Sequence, residues 1–99
     1  MSPNSTSTIG LRDQVYASFL EQLPRARLDP LAIEASLAEG LDPRIPSRKA
    51  IAIIARVCRA LGVGVNAVKK SDLRPEQVTS VRNLLDLLTR RIGDALDSQ

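Results

Sequence analysis

Near the end of the chain the apolar residues Val78, Val81, Leu85, Leu88, Ile92 and Ala95 are spaced three, four, three, four and three apart. That alternation is the period of one helical face, the heptad seam by which helices pack on helices. Leu84, Leu87 and Leu96 widen it beyond what a two-helix contact requires. So broad an apolar face must be covered, by the rest of its own domain, by a second copy, or by both. The 99 residues include one Tyr, one Phe and no Trp. Whatever covers the seam is therefore built from Leu, Ile, Val and Ala.

The remaining sequence supplies such cover in further helical patterns. Residues 1–8 are small and polar, and are expected to form a disordered tail before a single domain over 9–97. Leu11, Val15, Phe19 and Leu23, with Leu20 beside them, follow the spacing of a first helix that Pro24 ends. In "LDPLAIEASLAEG" Asp29 is a good N-cap, Pro30 suits the first helical position, and Gly40 suits a left-handed stop. A third helix runs from a Ser47 cap to Leu61 and stops at Gly62. "VNAVKKSDL" then has room for two turns of a fourth. The fifth opens at Pro75, with Arg74 in the cap position, and carries the seam. The expected fold is all-α: one compact domain of about five helices with a buried central third helix and a long C-terminal helix. Its seam residues Val78, Val81, Leu85, Leu88 and Ile92 are a candidate homodimer interface.

Several chemistries are excluded by composition. There is no His, which removes Ser-His and Cys-His nucleophile pairs and most zinc sites. No glycine-rich phosphate loop is present, and the four Glu and seven Asp are scattered without a pair set up for acid-base work. The chain is not expected to be an enzyme or to carry a cofactor or metal. Cys58 is alone, so no internal disulfide can form, and it is expected to act as a small buried hydrophobe. No stretch approaches the roughly 20 apolar residues that span a bilayer, and the start lacks the basic and apolar regions of a secretory signal. A cytoplasmic location is the expectation.

Charge is distributed unevenly. Arg44, Arg48, Lys49, Arg56, Arg59, Lys69, Lys70 and Arg74 face a single acid, Asp72, so residues 44–74 carry +7. Residues 1–43 carry −3 and residues 75–99 carry −1, and the modest +3 of the whole chain conceals a local field of one sign. On the third helix, at about 100° per residue, Arg48, Lys49, Arg56 and Arg59 fall in one narrow arc. Ile51, Ile54, Cys58 and Leu61 are expected on the opposite, packed side.

The turn that follows resembles a helix-turn-helix over residues 54–73. Gly62 stands where that family's turn needs positive φ, Cys58 is the small residue four before it, and Val57, Leu61, Val63 and Val68 stand at the positions that lock the two helices. "LGVGVNAV" is similar to the turn and following helix of many small bacterial repressors. The resemblance departs at Ser71, where the pattern prefers a large apolar side chain, and in the length of the preceding helix. It implies a double-stranded DNA partner, met by Gly64, Val65, Asn66, Lys69 and Lys70, with Asn66 suited to an adenine edge and the lysines to phosphates or guanine. Arg48, Lys49, Arg56 and Arg59 would add phosphate contacts. The expected function is then a small transcriptional regulator, binding DNA as a dimer. The same basic face fits a helical protein-interaction module, an adaptor or anti-activator, that docks an acidic partner and needs no groove geometry.

Overall fold

The computed structural model describes residues 3–98, with side chains from Gly10 onward. It contains five α-helices: α1 (Pro3–Gln22), α2 (Pro30–Ala38), α3 (Ser47–Ala60), α4 (Pro75–Val78) and α5 (Val81–Asp97). Among the described residues there is no strand, only an isolated antiparallel bridge between Arg44 and Ser80. The tail expected at residues 1–8 falls on Met1 and Ser2, outside the described residues, and on the opening turns of α1, whose side chains are also outside them. Among the described residues no helix is long and apolar enough to cross a membrane. The radius of gyration, 13.2 Å, is what about 100 residues give in one domain.

Local chemistry sets most boundaries. Pro24 follows the end of α1 and opens a short 3-10 turn. The Asp29 carboxylate accepts the Leu31 amide at 3.0 Å and Pro30 opens α2, as the sequence predicts. Gly40 and Gly62 both take positive φ, 84° and 79°. At each, the following amide reaches back to the carbonyl five residues earlier, Leu41 to Ser36 and Val63 to Cys58, both at 2.9 Å. These are Schellman stops, which need a left-handed residue after the last helical turn. The N-terminus of α3 differs from expectation: Pro46 is the cap residue, Ser47 is already helical, and no side chain caps the turn.

The core is aliphatic around one phenylalanine. Val15 and Phe19 of α1, Leu23 just after it, Ala50, Ile53, Val57 and Cys58 of α3, and Val81, Leu84, Leu88 and Ile92 of α5 have no exposed surface. α3 packs on α1, α4 and α5, so it is the central helix. α2 lies at the margin: Ile33 is its one buried side chain, and Leu31 stays 73 % exposed. Burial also raises the Cys58 thiol pKa, which keeps it protonated.

Two expectations are corrected. The long fifth helix is broken at Thr79–Ser80 into α4 and α5. Ser80 takes an extended conformation (φ −83°, ψ 119°) and its hydroxyl accepts the Asn83 amide at 3.3 Å, so α5 begins with its own N-cap. The connector from Leu41 to Ile45 lies against the break: the Ile45 amide donates to the Thr79 carbonyl, the Val81 amide donates to the Pro43 carbonyl, and Ser80 Oγ donates to Asp42 at 2.6 Å. The second correction concerns the seam. Val78, Val81, Leu88 and Ile92 are fully buried and Leu85 is 7 % exposed within a single chain. Side chains already withdrawn from water in their own domain have little apolar surface left to give a second copy, so within the single chain these five belong to the core.

Candidate interaction face on the central helix

Half of α3 faces the core and half faces solvent. Ala50, Ile53, Ile54, Val57 and Cys58 point inward. On the outward side Arg48, Ile51, Ala52, Arg59 and Ala60 are exposed, and Lys49, Ala55 and Arg56 are partly so. The basic residues thus occupy the arc the sequence assigns them. Among the described residues the ion pairs join Arg12 to Asp86, Arg44 to Asp42 and Arg91 to Asp72. Arg48, Lys49, Arg56, Arg59, Lys69 and Lys70 take part in none. The acids of the first two helices therefore leave the charge of this face uncompensated.

Ile51 is misplaced by the sequence reading. Expected on the packed side, it is 43 % exposed. Three residues after Arg48, it stands only about 60° from that arginine around the helix, and angular position was the signal available. Beyond the turn, Val65 is another large apolar residue left 42 % exposed. Sequence reasoning placed Val65 among the residues meeting DNA and missed Ile51 altogether as a surface residue.

The segment after Gly62 is fastened to the core, as the locking residues predict: Val57 is fully buried, Val63 and Val68 are 6 % and 7 % exposed, and Leu61 packs against the cluster. Its conformation is not the expected helix. Val65–Ala67 and Lys70–Asp72 form two 3-10 turns, and Val68 and Lys69 between them are extended. Asp72 fixes the second turn. It receives both guanidinium bonds of Arg91, at 2.9 and 3.0 Å, and the Lys69 amide at 3.0 Å. The Arg91 bonds lead in holding its carboxyl below the ordinary carboxylate pKa. Gly64, Val65, Asn66, Lys69 and Lys70 are all exposed. They lie on separate short turns, however, and not on one helix that could lead with its N-terminus into a major groove.

No group of three or more His, Cys, Asp or Glu side chains gathers among the described residues as metal ligands would. The face offers cations, apolar contacts and two alanines, Ala52 and Ala55, that permit close approach of another backbone. No protein-family model matches the chain, and neither does a curated protein or a solved structure.

Proposed function

We propose that this chain is a helical protein-interaction module whose partner presents an acidic, partly apolar surface to the outward face of α3. One observation carries the reading: an exposed helix face on which unpaired Arg48 and Arg59 flank Ile51 and Ala52. A mixed face of this kind gains from burying apolar surface as well as from charge, which phosphates alone do not supply. An amphipathic acidic helix laid along α3 would satisfy both.

A second reading, double-stranded DNA, draws on the single-signed field of residues 44–74. In it Arg48, Lys49, Arg56, Arg59, Lys69 and Lys70 anchor phosphates, and Gly64, Val65 and Asn66 approach base edges.

Anisotropy titrations with an acidic amphipathic helical peptide and with a mixed-sequence duplex, at low and moderate salt, separate the two. For the module, Ile51→Ser should weaken peptide binding at least about fivefold, about 1 kcal/mol, and the Arg48→Glu/Arg59→Glu pair should abolish it. For DNA, Ile51→Ser should be silent and the duplex affinity should fall steeply with salt. Peptide binding indifferent to both variants would refute the α3 face as the docking surface.

A further inference from the structure

Away from α3 the molecule has a cleft of about 540 Å³, bounded by α1, α2 and α5. Leu37, Ala38 and Leu85 give it an apolar floor, with the ring of half-buried Tyr16 beside them. Both of its arginines are engaged within the protein. Arg12 pairs with Asp86 at 2.8 Å. Arg82 donates to the Leu41 and Leu37 carbonyls at 3.0 and 3.3 Å, and its backbone amide donates to Asp42. The other two charged groups of the lining, Asp13 and Glu34, have no ion pair or side-chain hydrogen bond among the described residues. Carbonyl hydrogen bonds hold Arg82 in place and leave its charge, so the lining sets Arg12 and Arg82 against Asp13, Glu34 and Asp86 and is negative by one charge, next to an aromatic ring and an aliphatic floor.

We propose that this cleft binds a primary alkylammonium group, the alkyl stem on Leu37 and Leu85 and the charged head between Asp13, Glu34 and the face of Tyr16. An ammonium is attracted by carboxylates and by an aromatic face together, and its stem suits the floor as a lysine stem suits any apolar surface. A carboxylate or phosphate would meet Asp13 and Glu34 while Arg12 is tied to Asp86 and the Nε and Nη2 donors of Arg82 are committed to backbone carbonyls. Burial, and after it the nearby Glu34 carboxylate, raises the Tyr16 phenol pKa. The size and the chemistry suit either a free aliphatic amine or a lysine side chain borne on another protein.

Tyr16 is the chain's one tyrosine and there is no tryptophan, so intrinsic fluorescence reports on this cleft alone. Titrating the full chain at neutral pH and fixed ionic strength with n-butylammonium chloride should give a saturable change that sodium chloride and 1-butanol do not. In the Asp13→Asn/Glu34→Gln variant, whose two sites are exposed, the affinity should fall at least about tenfold with the melting temperature unchanged. A parallel titration with an oligolysine peptide separates the sources: tighter binding than butylammonium assigns a lysine borne on a protein, and weaker binding assigns a free amine. A response equal to that of sodium chloride, or undiminished affinity in the double variant, overturns the proposal. Because α3 contributes nothing to the cleft lining, Arg48→Glu should leave this titration unchanged, and failure here leaves the α3 reading intact.

Discussion

Asp42 is the residue through which the connector holds the start of α5, and its removal measures that hold. Its carboxylate accepts Ser80 Oγ at 2.6 Å and the Arg82 amide at 3.3 Å. Ser80 is 1 % exposed, so in Asp42→Ala its hydroxyl loses its acceptor where water does not reach easily. A hydrogen bond to a charged acceptor contributes about 1.5–3 kcal/mol. The carboxylate also lies over the first turn of α5, where an anion adds about 0.3–1 kcal/mol. The Asp42 side chain is 34 % exposed, and solvent screening reduces both contributions. The expected loss is therefore about 2 kcal/mol, a melting-temperature drop on the order of 10 °C for a domain of this size. Urea unfolding followed by far-ultraviolet circular dichroism would measure it. The Asp42→Ala/Ser80→Ala double variant should lose clearly less than the sum of the two single variants. The Ser80 hydrogen bond leads in lowering the Asp42 pKa, so its stabilisation is complete above the unfolded carboxylate value and disappears as pH falls through the lower folded one. Asp42→Ala should therefore lose less stability than the parent on acidification below about pH 4. Additive single variants, or a loss under about 0.5 kcal/mol, would show that the connector does not hold α5 in this way.

Three further outcomes follow from the packing. Ile51→Ala should change stability by no more than about 0.5 kcal/mol, whereas Ile53→Ala, two residues away and fully buried, should cost about 2–5 kcal/mol in the same urea titration. Gly62→Ala should cost about 1–2 kcal/mol from left-handed backbone strain alone, because a Cβ there would meet nothing within 4 Å; a neutral result would show that the Schellman stop relaxes. Cys58, buried with its thiol pKa raised, should react with a thiol reagent only as fast as the domain opens. Labelling at the rate of an unfolded peptide under native conditions would contradict its place in the core.

Boundaries written in local chemistry were legible. Asp29 with Pro30, Gly40, Gly62 and Pro75 each act within a few residues of themselves, and each does in the fold what its type predicts. The basic arc of α3 was legible for the same reason, since the angular order of side chains is fixed once a helix forms. The candidate site was less so. Arg48, Lys49, Arg56 and Arg59 share the outward face as expected, but Ile51 joins them, because periodicity gives the order of residues around a helix and not the width of the face its neighbours cover.

The sequence by itself therefore determined an all-α chain, the stops of its helices, and a one-sided charge field. Only the tertiary structure decided that the apolar seam faces inward, since a heptad pattern is the same whether α1 and α3 or a second copy covers it. Only tertiary structure decided that the last helix breaks at Ser80, because the acceptor for that hydroxyl, Asp42, lies 38 residues upstream. The conformation after Gly64 was decided in the same way. Val68 is buried against the core and Asp72 is held by Arg91 from α5. Those long-range anchors accompany two separate turns where local pattern alone had favoured one helix.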